Sequence, residues 1–389
     1  MELRFGATSE RFGQPAPDGL RAEIEVKDPR FFRAVVLGGS LGAAEAYMDG
    51  WWDSPDLVSV VRLFARNREA LSQLEGPFSR IFLFPARLLH KLRANTRRGS
   101  QRNIAAHYDL GDELFREFLD PTLTYSAACF DQPDWTLEQA QRAKLERLAR
   151  KLQLQPSDHV LEIGSGWGSL ALYFASRFGC RVTTITISRN QLETARRRVE
   201  EAGLEKQISV EFRDYRDLEG KFSKIVSVEM IEAVGLERLE GFFERVARCL
   251  EPEGLFCLQA ITIAERFFKA ASRNVDFIQR YIFPGGAIPS VTSLFEAATS
   301  GGNLVPLGME EFGLDYAETL RRWRARFVAR REQIAKFGFG ERFQRMFEYY
   351  FSYCEGGFLE RSIGDVQLLF GGRAFRKATW RPRLGDIAL

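Results

Sequence analysis

The fold of this chain is decided by the stretch Val160-Leu161-Glu162-Ile163-Gly164-Ser165-Gly166-Trp167-Gly168. Its apolar first half predicts a buried strand, the three glycines predict a tight turn, and residues 169–178 have the apolar spacing of a helix. Glycines let a ligand approach the backbone closely, and the N-terminus of the helix supplies unpaired N–H groups. A glycine turn alone also fits a strand–helix connection that binds nothing.

The spacing of the glycines narrows the choice of ligand. Dinucleotide sites have the pattern G-x-G-x-x-G, which would indicate a nicotinamide oxidoreductase. Here the pattern is G-x-G-x-G after an acidic residue, and that form is typical of S-adenosylmethionine (SAM) sites. We therefore take Glu162, Gly164, Gly166 and Gly168 as candidate SAM-binding residues. The next strand ends in Thr184-Ile185-Thr186-Ile187-Ser188, without the usual acidic residue for the ribose, and this departure points to a subfamily.

Helices and strands alternate from residue 137 onward. Apolar periodicity predicts helices over 137–152, 169–178, 191–202 and 239–250, and strands over 159–163, 181–187, 208–212, 224–230 and 254–263. Alternation at this spacing predicts an α/β fold with an open, mostly parallel sheet covered by helices on both faces. Residues 304–309 and 365–370 are predicted to be the closing strands, and 264–303 a helical insertion.

The first hundred residues predict a small N-terminal domain. Residues 22–26 and 32–36 resemble short strands, and helices are expected within 40–74. We place the domain boundary near residue 95, so that 1–95 form a small α+β domain and 96–389 the larger domain.

Composition excludes several classes of protein. Of 389 residues, 45% are apolar and 28% charged, which rules out a disordered chain, and a net charge of +3 implies no polyanionic partner. Five cysteines without a C-x-x-C pair and three histidines predict neither a disulfide framework nor a metal site. The N-terminus lacks the apolar segment of a signal peptide, and no apolar run reaches the length of a membrane span. We expect a cytoplasmic protein.

Two arginine-rich segments predict contact with an anionic membrane surface. Residues 76–108 contain no Asp or Glu and interleave basic with apolar residues, as in a basic amphipathic helix. A second cluster, within 321–331, combines six arginines with Trp323 and Phe327. A solvated helix face is the alternative for each segment. Nucleic-acid binding is the competing explanation of the arginines, but no recognition motif accompanies them.

Further stretches identify the subfamily. They are His107-Tyr108-Asp109-Leu110-Gly111-Asp112-Glu113-Leu114-Phe115, Leu119-Asp120-Pro121-Thr122-Leu123-Thr124-Tyr125-Ser126, Arg213-Asp214-Tyr215-Arg216-Asp217-Leu218, Tyr281-Ile282-Phe283-Pro284-Gly285-Gly286 and Glu348-Tyr349-Tyr350. Together with the glycine turn, and in this order from about residue 103 to 372, they resemble the cyclopropane fatty acid synthase family of SAM-dependent methyltransferases. The resemblance implies a class I methyltransferase fold with a Rossmann-like, seven-stranded sheet, in which the insertion forms an acyl pocket.

The resemblance also implies the SAM-binding residues. Tyr125 and Ser126 would lie along the methionine moiety of SAM together with the glycine turn. Thr186, Ser188 and Gln191 would take the ribose in place of the usual acid, although ordinary capping of a strand end also explains the first two. The adenine would be bordered by Tyr215 and Arg216.

Methylation of an isolated cis double bond needs a dry pocket and stabilisation of the carbocation that forms, a task that suits aromatic faces. The resemblance implies Tyr316 as an active-site residue and a bicarbonate that accepts the proton, held by a Cys, a Glu, a His and a Tyr. The Glu is present as Glu232, but Ala127 replaces the Cys and Gln259 replaces the His. Bicarbonate is therefore in doubt. Glu232 is either the direct base or a carboxylate satisfied by backbone N–H groups.

Several alternatives remain open at this stage. Ring closure gives a cyclopropane fatty acyl chain of a phospholipid, whereas loss of the base predicts a methylene- or methyl-branched chain. A catalytically inactive protein that binds lipid or SAM is the alternative outside the enzymes, and a homodimer is an option. Cys354 matches a cysteine marked as catalytic in the family, although methyl transfer needs no thiolate. Phe267, Phe268, Phe277 and Phe283 are candidates for an acyl channel, with core packing as the alternative for each.

Overall fold

The structure, a computed structural model, describes residues 1–67, Gly99 and residues 110–380. The basic segment 76–108 and the predicted boundary near residue 95 therefore lie outside the described residues, apart from Gly99. The N-terminal part begins with a four-stranded sheet in the order β2-β1-β3-β4. Its strands are β1 (Glu2–Phe5), β2 (Thr8–Arg11), β3 (Glu23–Val26) and β4 (Trp52–Asp53).

Two helices accompany this small sheet, α1 (Arg30–Met48) and α2 (Leu57–Arg66). The prediction of a strand over 32–36 is wrong, because these residues belong to α1. The helix begins where the Asp28 carboxylate accepts a hydrogen bond from the Arg30 N–H at 2.9 Å. It bends at Gly39, whose φ of 57° and ψ of −138° suit glycine alone.

The centre of the chain is a seven-stranded sheet in the order β10-β11-β9-β8-β5-β6-β7. Its strands are β5 (His159–Ile163), β6 (Arg181–Thr186), β7 (Ile208–Phe212), β8 (Phe222–Val228), β9 (Leu250–Ile263), β10 (Val305–Glu311) and β11 (Ile363–Gly371). Strands β5 to β9 are mutually parallel, and β11 is antiparallel to both of its neighbours. The predicted α/β fold with a mostly parallel, seven-stranded sheet is confirmed.

Helices lie along the chain around and between these strands. They are α3 (Asp112–Phe118), α4 (Leu137–Leu152), α5 (Ser169–Phe178), α6 (Arg189–Glu201), α7 (Leu239–Cys249), α8 (Glu265–Ala271), α9 (Val291–Glu296), α10 (Gly313–Ala329), α11 (Arg331–Lys336) and α12 (Glu341–Leu359). Because β6 and β8 flank β5 on opposite sides, the strand order reverses at the end of β5. Open α/β sheets bind their ligands at such a point.

The N-terminal helices pack on α12. The guanidinium of Arg345 lies 4.0 Å from the centre of the Tyr47 ring and donates to the carbonyl of Trp52 at 2.9 Å. Arg62 and Arg66 both donate to the Glu360 carboxylate, at 2.7 and 2.6 Å. One continuous apolar core runs from the N-terminal sheet into helices α3, α10 and α12. Packing in this core fixes the position of the N-terminal sheet relative to these helices.

The arginine cluster within 321–331 is part of this packing. Its expected aromatic companions, Trp323 and Phe327, are fully buried and do not share an exposed face with the arginines. Most of the arginines pair with carboxylates of the same chain, for example Arg324 with Glu355 at 3.0 Å. This helix therefore does not present the mixed basic and aromatic surface that the sequence predicts. Within the described part of the chain, no helix combines the length and apolarity that crossing a bilayer requires.

Candidate active site

The glycine turn after β5 has the backbone geometry that its sequence predicts. Gly164, Gly166 and Gly168 all have positive φ, at 100°, 49° and 88°. The N–H groups of Gly164 and Ser165 both donate to the carbonyl of Ile185 on β6, at 3.1 and 2.9 Å. A Cβ added at Gly166 would meet no atom within 4 Å. The backbone at this position therefore faces open space, as a ligand cradle requires.

Glu162, near the end of β5, lies beside this cradle with one carboxyl oxygen unsatisfied. The side chain is 4% exposed, and its Oε2 atom has no hydrogen-bond partner among the described residues. Burial raises the pKa of this carboxyl to about 8. A buried carboxylate needs a partner, and the ammonium group of SAM would supply one. The residues of the turn therefore fit SAM as a co-substrate.

Thr186, Ser188 and Gln191 form a hydrogen-bonded corner at the end of β6. The Thr186 hydroxyl donates to Gln191 Oε1 at 3.0 Å and accepts from the Ser188 N–H at 3.1 Å. The Ser188 hydroxyl caps helix α6 by accepting from the Gln191 N–H at 3.3 Å. Thr186 and Gln191 line the cavity described below, whereas Ser188 does not. Ser188 thus stabilises this corner, while the side chains of Thr186 and Gln191 face the cavity.

The remaining candidates for SAM binding also border the cavity. Arg216 pairs with Asp214 at 2.6 Å, and Tyr215 packs edge-on against the buried Phe242 ring. The Tyr125 hydroxyl is 3.0 Å from that of Tyr350. The Ser126 hydroxyl accepts a hydrogen bond from the buried ammonium of Lys144 at 2.6 Å, a lysine that the sequence analysis did not single out.

A cavity of about 2170 Å³ connects the glycine turn with the N-terminal part and the insertion. Of the four phenylalanines proposed for an acyl channel, only Phe283 lines it. Phe277 is buried against Tyr349 and Tyr353 instead, because its ring completes the core between the insertion and α12. Cys354 lines the cavity, and burial raises the pKa of its thiol, which opposes a thiolate. Its family-derived catalytic role stays a prediction.

The polar centre of the cavity is Glu229, which follows β8. Its Oε1 atom accepts hydrogen bonds from the Ala127 N–H at 2.8 Å and from Gln259 Nε2 at 2.7 Å. Its Oε2 atom accepts from the Tyr316 hydroxyl at 2.8 Å. The sequence analysis did not select Glu229; the available signal was a second carboxylate three residues before Glu232.

Two further carboxyl groups surround Glu229. Glu232 Oε1 accepts from the Ile261 N–H at 2.6 Å, while its Oε2 atom has no partner among the described residues. Burial, followed by the nearby charge of Glu229, raises the pKa of Glu232 to about 8. Asp365 on β11 is fully buried, and its Oδ2 atom accepts from Gln259 Nε2 at 3.2 Å. Burial likewise raises the pKa of Asp365 well above its usual range.

Bicarbonate does not fit the position that the resemblance assigns to it. The donors that would hold the anion at Ala127, Gln259 and Tyr316 all point to the carboxylate of Glu229. Gln259 has no second position to turn to, because its Oε1 atom accepts from Gln367 Nε2 at 3.0 Å. No described group of three or more His, Cys, Asp or Glu residues is arranged to hold a metal ion.

The fold and the site define a class I SAM-dependent methyltransferase. The model of the mycolic acid cyclopropane synthetase family matches residues 95–368. The chain is 41% identical over 357 residues to cyclopropane-fatty-acyl-phospholipid synthase of Escherichia coli, covering 90% of this chain and 87% of that protein. It is 38% identical to the tuberculostearic acid methyltransferase UfaA1 of Mycobacterium tuberculosis, covering 84% of this chain and 77% of that protein. The chain belongs to the cyclopropane synthase family.

The solved structures agree with this assignment. Mycolic acid cyclopropane synthase CmaA1, complexed with SAH and CTAB, superposes with a TM-score of 0.66 at 30% identity, over 70% of this chain and 98% of that one. The relatives are enzymes, and the complex with SAH supports SAM as the co-substrate of this chain. The alternatives of a nicotinamide oxidoreductase and a catalytically inactive binding protein are therefore set aside.

Replacement of Gly166 by Ala tests the SAM cradle. The new methyl group would project into the open space beside the turn, so we expect at least a tenfold weaker binding of SAH, or about 1.4 kcal/mol, measured by isothermal titration calorimetry. Gly203→Ala is the matched control, because Gly203 also has a positive φ and open surroundings but lies outside the cavity. Equal affinity of the two variants would contradict the placement of SAM.

The pKa of Glu232 predicts how stability depends on pH. An unfolded Glu ionises near its ordinary pKa of 4.5, whereas folded Glu232 ionises near 8, so the folded state holds the extra proton between these values. Stability should therefore fall as pH rises from 4.5 to 8 and then level off. Between pH 6 and 9 we expect the wild type to lose about 2 kcal/mol more than Glu232→Gln, in urea unfolding without SAM.

The control for this measurement is Glu253→Gln, since the Glu253 side chain is 62% exposed. This variant should follow the wild-type pH dependence. An identical dependence in Glu232→Gln would show that Glu232 is ionised in the folded protein throughout this range.

Proposed function

We propose that this enzyme transfers a methyl group from SAM to the cis double bond of an unsaturated acyl chain of a phospholipid and closes a cyclopropane ring. The observation that supports this most directly is the single cavity that joins the SAM-type glycine turn to Glu229, Tyr316 and an aromatic wall. SAM supplies the electrophilic methyl group. The protein residues must position the alkene, exclude water, stabilise a cation and remove a proton.

Aromatic side chains suit the stabilisation of the cation. Tyr125, Phe283, Tyr316 and Tyr350 all line the cavity. Tyr316 stacks on Phe358, with ring centres 4.6 Å apart, and burial raises the pKa of its hydroxyl well above the usual range. Tyr316 therefore stays protonated and presents a neutral π-face, which attracts a cation without attacking it.

Cationic side chains on the insertion favour a phospholipid as substrate. Arg266, Lys269 and Arg273 all line the cavity, on α8 and just beyond it. Three positive charges on one segment of the cavity wall suit the phosphate of an anionic headgroup. This arrangement supports a phospholipid over a carrier-bound acyl chain.

The N-terminal part supports entry from a membrane. Val36 on α1 and Phe64 on α2 line the cavity and are also 74% and 39% exposed. Exposed apolar residues at the mouth of a cavity suit a lipid surface. We propose that the protein binds peripherally to the cytoplasmic, anionic face of the membrane through this mouth. A homodimer stays a prediction.

Methylation without ring closure is the second candidate. It is favoured by Ala127 and Gln259, which depart from the bicarbonate ligands of the family, and by the similarity to a relative named as a methyltransferase. Both outcomes add one carbon from SAM and release one proton, so the two products share a mass.

The proposed activity is tested with purified enzyme, methyl-labelled SAM and vesicles of a cis-monounsaturated phosphatidylglycerol. We expect each modified acyl chain to gain one labelled CH2 by mass spectrometry, and a saturated lipid to gain none. Proton spectra of the methyl esters then separate the candidates, because cyclopropane protons resonate far upfield and vinylidene protons downfield. Absence of label, with SAH binding intact, would refute an alkene acceptor of this kind.

The proposed mouth is tested by the double variant Val36→Asp and Phe64→Asp. Buried charge at a lipid surface is costly, so we expect at least tenfold weaker flotation with phosphatidylglycerol vesicles and a matching loss of activity on them. Activity on the same lipid dispersed in detergent micelles should change less than threefold. Met309→Asp is the control, since Met309 is 53% exposed but lies on the edge strand β10, away from the cavity. Equal losses of vesicle binding and activity in the double variant and in Met309→Asp would contradict the proposal that Val36 and Phe64 form the membrane-facing mouth of the cavity.

A further inference from the structure

The contacts of Glu229 have a consequence for catalysis. Family members are expected to place an external anion among a Cys, a Glu, a His and a Tyr. Here the residues at three of those positions, Ala127, Gln259 and Tyr316, donate hydrogen bonds to one side-chain carboxylate. Three donors at 2.7 to 2.8 Å satisfy most of the acceptor capacity of a carboxylate.

The backbone shows that this position is adapted to hold a side chain under strain. Glu229 has a φ of 46° and is one of the few non-glycine residues in the described chain with a positive φ. Such a conformation costs about 1 kcal/mol or more for a residue with a Cβ. The hydrogen bonds of the carboxylate, together with that from the Glu229 N–H to the Gln259 carbonyl at 2.9 Å, hold it there.

We propose that Glu229 is a built-in general base that replaces bicarbonate, so that this enzyme works without an added anion. The proposal rests on the proposed alkene methylation. A C–C bond forms between the methyl carbon and one alkene carbon, the S–CH3 bond breaks, and SAH leaves as a neutral sulfide. A C–H bond of the new methyl group then breaks, its electron pair closes the ring onto the cationic carbon, and its proton passes to Glu229.

The surroundings of Glu229 support both halves of this step. The buried ammonium of Lys144 is the favourable charge that acts on Glu229, while burial raises the pKa of the carboxyl. A carboxylate with a raised pKa is a stronger base, while the charge of Lys144 and the hydrogen bonds from Ala127, Tyr316 and Gln259 favour its ionised form. Asp365 is adjacent, and burial together with the charge of Glu229 raises the pKa of its carboxyl well above the usual range, so Asp365 favours its protonated form and Glu229 is the carboxylate that accepts the proton.

Two substitutions separate a base from a structural carboxylate. Glu229→Gln keeps the size and the hydrogen-bond acceptor but cannot accept the proton, and general-base catalysis contributes on the order of 100-fold or more. Glu229→Gly removes the strain of a side chain at a positive φ and leaves an anion-sized space that faces the three donors. We expect both variants to bind SAH as tightly as the wild type and to lose at least 100-fold in turnover in carbonate-free buffer under argon.

Added bicarbonate gives the decisive contrast. We add bicarbonate at about 20 mM, a concentration near the Kd of a weak anion site. We expect it to raise the turnover of Glu229→Gly at least tenfold and to leave that of Glu229→Gln unchanged. In ¹³C spectra of labelled bicarbonate with SAH, Glu229→Gly should broaden the signal and the wild type should not. Wild-type turnover should be the same with and without bicarbonate.

Each contrary result is informative. Wild-type activity that requires bicarbonate, or a Glu229→Gln variant within threefold of the wild type, would overturn the proposal. So would a Glu229→Gly variant that bicarbonate neither binds nor rescues. If the wild type itself transfers no label to lipid while binding SAH, the proposed function fails first, and the two failures are thereby distinguished.

Discussion

The arrangement of the site depends on one carboxylate and the donors that converge on it. Glu229 receives hydrogen bonds from three separate parts of the chain: the loop before α4, strand β9 and helix α10. A buried carboxylate is costly unless such donors surround it. The buried Glu229 carboxylate is therefore stable only when strand β9, the loop before α4 and helix α10 are correctly placed around it. The same contacts orient Gln259 and Tyr316, so the chemistry and the packing rest on one interaction.

The aromatic content explains how those parts stay in register. Phe118 of α3 is fully buried and meets the rings of Tyr125, Trp323 and Phe351 at centroid distances of 6.1, 6.1 and 5.3 Å. Edge-on pairs of this kind add directional preference to apolar burial. Of these four rings only Tyr125 also lines the cavity, so this core supports the cavity wall from behind. Most of the phenylalanines named here pack in the core, and few of them line the cavity where a lipid would bind.

The sequence predicted the central sheet well because local and global signals agree there. The helix over 137–152 and the strands over 159–163 and 208–212 match the structure to the residue. Residues 32–36 misled the analysis because five residues are too few to distinguish a strand from one turn of a helix. Trp323 and Phe327 misled it because arginines beside them suggest an exposed face, while helix α10 turns the two kinds of residue to different sides.

The site was predicted less completely than the sheet, for a physical reason. Gln259 and Tyr316 could be selected because each matches a motif position, and Glu162 because it precedes the glycines. Glu229 could not, since its importance depends on a positive φ and on donors more than 80 residues away at Tyr316 and more than 100 away at Ala127. When two ligands of an anion are lost, the sequence alone suggests a damaged site. The structure shows instead that Ala127, Gln259 and Tyr316 donate to an acceptor within the chain, the carboxylate of Glu229, which a positive φ holds in place.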